Sequence, residues 1–203
     1  MSPSKPSVRP SIMTPANIVT IARVVCVPVW LAIAEAFPAS DGTKFSWGAL
    51  LTFLLYVALS LTDKLDGYLA RSRNEVTTFG KFLDPIADKL EVVVALAFLL
   101  ERGLCSSWVL LVVVAREFLV SGLRMVVAAQ GTVIAASNLG KAKTATTMVA
   151  IGGYLFLAAL PAGGFTNALH TIVFIIMIAA VVLTAWSGID YFVKAWPAVS
   201  RMD

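Results

Sequence analysis

The sequence predicts an all-α integral membrane protein of six transmembrane helices with both termini cytoplasmic, and three observations carry that prediction. Of 203 residues, 59% are apolar and 14% charged, against about 45–50% and about 25% in soluble domains. Residues 144–189 hold no Asp, Glu, Lys or Arg, which leaves room for two spans of about 20 residues each. The sixteen Lys and Arg gather on one side once the spans are drawn, as the positive-inside rule requires of an oriented membrane protein. Disorder, a secreted disulfide scaffold and a nucleic-acid-binding domain all fit this composition poorly, despite the net charge of +4.

Taken in order, residues 1–16 are rich in Ser and Pro and read as a flexible cytoplasmic tail. No small-residue cleavage site follows a short apolar core there, so a signal peptide is not expected. Residues 17–198 form one six-helix unit, with apolar runs at 24–37, 45–62, 86–100, 103–127, 148–162 and 171–187. The third run holds Asp88, Lys89 and Glu91 and the fourth Arg116, Glu117 and Arg124, all toward ends that share one side. Ionisable residues inside spans mark functional sites. With these spans, fourteen of the sixteen basic residues face the cytoplasm and only Lys44 and Arg102 lie on the other side.

Trp47, Trp108, Trp186 and Trp196 fall near span ends, where interfacial anchors sit, while Trp30 falls inside the first span. Gly152 and Gly153 suit close helix packing, and Gly163 and Gly164 a turn. Cys26 and Cys105 lie near opposite ends of the spans, so no disulfide is expected between them and both read as packing residues. The lone histidine, His170, falls on the far side as a loop or interface residue.

The chemistry lies between the second and third runs. Asp63 and Asp66 are three residues apart and Asp84 and Asp88 four apart, so each pair shares a helix face. Four carboxylates at one edge of a bilayer repel one another unless a cation neutralises them, and an all-oxygen set suits Mg²⁺ or Mn²⁺. Two such ions would bind a pyrophosphate and stabilise displacement at phosphorus. Gly67 lets a substrate approach the backbone, Arg71 offers a planar donor set to phosphate, and Gly80 stands one turn before Asp84. Each aspartate taken alone is equally readable as a helix cap or as a partner of Lys64, Lys81 or Lys89.

Asp63, Asp66, Gly67, Ala70, Arg71, Gly80, Asp84 and Asp88, at these spacings, resemble the complete signature of the CDP-alcohol phosphatidyltransferase family, with no departure at any of its fixed positions. The resemblance implies a six-helix membrane enzyme, usually a homodimer, with a divalent-metal site opening to the cytoplasmic side of the inner (plasma) membrane. It implies transfer of a phosphatidyl or related group from a CDP-linked donor to an alcohol, with release of CMP. By position, Asp63, Asp66 and Asp84 would be metal ligands, Asp88 a metal-linked general base, and Gly67, Ala70, Arg71 and Gly80 the lining of the CDP site. Recognition of cytidine comes from the resemblance alone.

A second group bears on the acceptor. Arg116, Arg124, Lys141 and Lys143 add positive charge beside a site that handles phosphate, which points to an anionic acceptor. Lys194 and Arg201 read as ordinary positive-inside residues. The segments around Arg116–Phe118, Ser121–Arg124, Gly140–Thr144 and Ser187–Tyr191, with Asn17, Thr20 and Arg23, resemble the branch of that family whose acceptor is sn-glycerol 3-phosphate. The reaction so implied joins CDP-diacylglycerol and glycerol 3-phosphate into phosphatidylglycerophosphate, with loss of CMP. Three other readings of these residues stand beside it: the same chemistry with inositol phosphate, serine or phosphatidylglycerol as acceptor, a divalent-cation transporter, and a non-catalytic scaffold on a decayed enzyme fold.

Overall fold

The computed structural model describes residues 14–73, 78–129 and 138–200, and at 15, 16, 63–73, 78–82, 84, 85, 88, 129 and 198 the backbone only. Among the described residues there are six α-helices and no strand: α1 Pro15–Ala36, α2 Trp47–Arg73, α3 Thr78–Glu101, α4 Ser107–Ala129, α5 Asn138–Leu157 and α6 Gly164–Val199. The all-helical prediction holds. The first helix starts two residues before the expected boundary at residue 17, because Thr14 caps it: its Oγ1 accepts the Asn17 N–H at 3.3 Å, and Pro15 opens the first turn without needing a partner for an N–H.

Successive helices run in opposite directions, and contacts at one end of the bundle fix this. The Ser40 and Ser46 N–H groups of the α1–α2 connection donate to the Ala158 and Ala159 carbonyls at 2.7 and 2.9 Å, and Ala162 N–H returns a bond to Gly42 at 2.8 Å. Arg102, just past α3, donates to the Ala34 carbonyl near the end of α1 at 3.4 Å. Gly42 has φ +87°, a conformation that costs glycine nothing and other residues dearly. Beside it, the Asp41 carboxylate accepts from Thr43 N–H, Thr43 Oγ1 and Lys44 N–H, and these donors hold its carboxyl below the ordinary carboxylate range. The C-terminal end of α2 and the start of α3, which carry the signature residues, therefore lie at the opposite end.

The interior is divided along the bundle axis. On α1, one face runs from buried Asn17, Thr20 and Arg23 to buried Val27, Trp30 and Ala34. The inner face of α5 changes likewise from Lys143 and Thr147 to Ile151, Tyr154 and Leu155, and α6, running the other way, from Val173, Met177 and Ala180 to Thr184, Ser187 and Tyr191. The apolar half centres on Trp30, packed against Tyr56 and Phe98 with ring centroids 5.9 and 5.7 Å away. Its indole N–H donates to the Thr52 carbonyl at 3.0 Å, which explains how this tryptophan sits inside the bundle while Trp47, Trp108, Trp186 and Trp196 are exposed.

The outer surface is apolar too. On α6, Ile172, Ile175, Val182, Ile189 and Val193 are each more than half exposed, and a helix that is apolar on all sides suits hydrocarbon rather than water. Windows at Asn17–Ala36 and Gly164–Pro197 are long and apolar enough to cross a membrane, and Trp47–Thr62 is a shorter apolar stretch. At 36 residues, α6 is about 54 Å long, well beyond a hydrocarbon core of about 30 Å.

Two expectations need correction. The fifth helix ends at Leu157 rather than at 162, since residues 158–163 turn back to bond with the α1–α2 connection. Cys26 is exposed on α1 rather than packed inside; Cys105 is half-buried, and both are free thiols. The paired glycines divide their roles: a Cβ on Gly152 would meet only ordinary contacts, whereas one on Gly153 would lie 2.7 Å from Val173 of α6. Gly153→Ala should therefore cost about 1–3 kcal/mol and lower the melting temperature of the detergent-solubilised protein, and Val173→Ala in the same chain should restore most of it.

Candidate active site

The C-terminal part of α2 carries Asp63, Asp66, Gly67, Ala70 and Arg71, and the first half of α3 carries Gly80, Asp84 and Asp88. The two helices are joined through residues 74–77, so the two acidic helix segments lie at the same end of the bundle. The side chains of all eight signature residues lie outside the described residues. What the backbone establishes is that the four aspartates stand on adjoining helix ends, Asp63 and Asp66 on α2 and Asp84 and Asp88 on α3. Among the described residues there is no cluster of three or more His, Cys, Asp or Glu.

The described side chains next to this region form a ladder of polar contacts between helices. Ser60 of α2 donates to Glu91 of α3, and Glu91 is buried. Two residues before Glu91, Lys89 donates to Ser121 of α4. One turn earlier on α4, Glu117 accepts from Lys143 of α5 and from Arg116 Nη1, the latter at 3.2 Å. Arg116 Nε donates to Ser187 Oγ of α6 at 3.2 Å, and Ser187 is itself buried and bonded to the Thr184 carbonyl. Farther along α4, Arg124 Nε donates to Tyr191 Oη at 3.2 Å, with its guanidinium 5.6 Å from that ring's centroid.

Of the predicted acceptor residues, the fold brings Arg116 and Lys143 together around Glu117, with side chains 15% and 7% exposed. Arg124 lies two turns along the same helix, held to α6 and more exposed. Lys141 is exposed near the start of α5 and makes no hydrogen bond or ion pair with the described residues of the cluster. Asn17, Thr20 and Arg23 are buried on the matching stretch of α1.

Sequence reasoning picked out the segments holding Ser121, Ser187 and Tyr191 by resemblance but not their partners, and it missed the bond from Lys89 to Ser121. Spacing was a further signal: Glu117 and Ser121, and likewise Ser187 and Tyr191, are four residues apart and so share a helix face. A cavity of about 330 Å³ opens among Phe98, Leu99, Arg102, Tyr154 and His170, where His170 meets Tyr154 edge-on at 5.9 Å. It lies at the opposite end of the bundle and holds none of the signature residues.

An acidic pair on each of two adjoining helix ends and the cations of α4 and α5 thus share one end of the helical bundle. The chain belongs to the CDP-alcohol phosphatidyltransferase family, whose model matches residues 13–186. Among curated proteins, it is 38% identical over 199 residues to the CDP-diacylglycerol–glycerol-3-phosphate 3-phosphatidyltransferase of Bacillus subtilis strain 168, covering 92% of this chain and 97% of that protein. It is 39% identical over 180 residues to a probable phosphatidylglycerophosphate synthase of Mycobacterium tuberculosis H37Rv, covering 89% and 80% of the two chains. The Rickettsia felis protein named as a CDP-diacylglycerol–glycerol-3-phosphate 3-phosphatidyltransferase is 39% identical over 176 residues, covering 87% and 92%.

A charge buried without its partner is costly, so the pairing around Glu117 has a measurable consequence. Lys143→Met should destabilise the protein by about 3 kcal/mol, seen as a lower melting temperature in detergent. Adding Glu117→Gln should recover a large part of that loss, because the carboxylate left short of a partner is then gone.

Proposed function

We propose that this protein transfers the phosphatidyl group of CDP-diacylglycerol to sn-glycerol 3-phosphate, giving phosphatidylglycerophosphate and CMP. The observation that carries this reading is the unbroken eight-residue signature on α2 and α3 at the same end of the bundle as the paired cations of α4 and α5. The relatives' names supply the acceptor, and the cations suit a phosphorylated one.

Asp63, Asp66, Asp84 and Asp88 would hold Mg²⁺ or Mn²⁺, with two ions the arrangement we favour. The metal, when bound, supplies Lewis-acid stabilisation of charge on the pyrophosphate. Gly67, Ala70, Arg71 and Gly80 line the CDP site, Arg71 pairing with phosphate oxygens. Asp88 takes the proton from the primary hydroxyl of glycerol 3-phosphate, whose oxygen attacks the phosphorus linked to diacylglycerol as CMP leaves. Arg116, Arg124, Lys141 and Lys143 receive the acceptor's phosphate, Lys143 from a buried position, Arg116 from a half-buried one and Arg124 and Lys141 from exposed ones.

In the same reading, six spans cross the inner (plasma) membrane, both termini and the site face the cytoplasm, and two copies form a homodimer. Support for the orientation comes from the distribution of Lys and Arg.

Purified protein given CDP-diacylglycerol should release CMP with glycerol 3-phosphate and not with serine, inositol phosphate or phosphatidylglycerol. CMP release with inositol phosphate but not with glycerol 3-phosphate would overturn the choice of acceptor. Chelation with EDTA should abolish turnover and Mg²⁺ or Mn²⁺ restore it, and Asp88→Asn should abolish it with little change in melting temperature. For orientation, a membrane-impermeant maleimide should label Cys105 of a Cys26→Ser chain in right-side-out vesicles. A cysteine placed by Lys141→Cys in a chain lacking both native cysteines should react only after permeabilisation; the reverse pattern would invert the topology.

A further inference from the structure

Glu117 is an anion inside the cluster of cations proposed to receive an anionic acceptor. As a ligand for phosphate it would repel, so its presence there calls for another role. Its carboxylate accepts from both Arg116 and Lys143, two cations on different helices that would otherwise push each other apart. Arg116 is held from a second direction by Ser187 Oγ at 3.2 Å, so the guanidinium is fixed between α4 and α6. Lys89 of α3 is bonded to Ser121, one turn along α4 from Glu117. Two cations on one carboxylate leave this group net positive, and a phosphate monoester near neutral pH carries about −1.5 to −2.

We propose that Glu117 is the positioning residue of the acceptor site: it holds Arg116 and Lys143 in a fixed geometry in which both can face an acceptor phosphate. This rests on the acceptor reading above. Glu117 acts through the two cations and does not touch the substrate. The net positive charge left on the group favours a phosphorylated acceptor over a neutral alcohol.

The test is steady-state kinetics on the purified full chain in mixed micelles of detergent and CDP-diacylglycerol, comparing wild type with Glu117→Gln, Glu117→Asp and Ser187→Ala. Glu117→Gln should raise KM for glycerol 3-phosphate about tenfold, while KM for CDP-diacylglycerol stays within about twofold. Competitive inhibition by inorganic phosphate should weaken in parallel, and Glu117→Asp should recover part of the loss. Ser187→Ala, which removes one neutral hydrogen bond, should raise the same KM about threefold. An unchanged KM for glycerol 3-phosphate in Glu117→Gln, or equal rises in both KM values, would overturn the proposal while the wild-type activity leaves the acceptor reading standing. Wild-type protein that forms no product from glycerol 3-phosphate would overturn both. Should Glu117→Gln not purify as folded protein, Ser187→Ala decides in its place: a rise confined to KM for glycerol 3-phosphate supports the proposal, and an unchanged value overturns it.

Discussion

The pairing of Glu117 with Lys143 and Arg116 is the interaction around which this end of the bundle is organised. A carboxylate and two cations taken out of water are costly unless each finds a partner with good geometry. No single helix supplies all three, so α4 and α5 must meet in one register for the charges to be compensated. Ser187 then ties α6 to Arg116, and Lys89 ties α3 to Ser121. Net stabilisation from such a buried network is small at best. Its effect is specificity of arrangement, since a one-turn slip of α5 would strand Lys143 and Glu117 together.

The opposite end of the bundle is held by different means. Around Trp30, Tyr56, Phe98 and Leu155 the helices pack through aromatic and aliphatic contact, and Gly153 lets α6 approach through Val173. The Trp30 indole meets its one polar requirement at the Thr52 carbonyl. This apolar half behaves as a rigid anchor, and the polar half can carry charge because the anchor fixes the helix directions. The acidic signature, the cations of α4 and α5 and the buried polar face of α1 thus fall together at one end. Such a division suits an enzyme whose donor is lipid and whose acceptor is a small phosphorylated alcohol from water.

Much of this was legible in the chain itself. Composition and the uncharged stretch 144–189 set the helical class, because an apolar segment of that length has few alternatives to helix. The eight signature positions carry the family resemblance from which the chemistry follows, and helical periodicity places each pair of aspartates on one face. Arg116 and Arg124 were visible as charges too costly to lie idle in an apolar run. Helix boundaries were less legible: apolar runs mark where lipid is expected, whereas α2, α3 and α6 continue past them into polar segments that hydropathy discounts.

What only the tertiary structure decided is which groups meet. Lys141 and Lys143 look alike in sequence, yet one is exposed and the other buried against Glu117, because residues two apart on a helix point in different directions. Ser187 and Tyr191 became partners of the two arginines only because α4 and α6 run parallel and in contact. The exposure of Cys26 was equally hidden, since in an apolar helix the inward and outward faces have nearly the same composition. The sequence by itself determined an apolar helical bundle with its charge gathered at one end and a family signature on two adjoining helices. The pairing of charges across helices depends on contacts between residues far apart in the chain, and those exist only after the helices have packed.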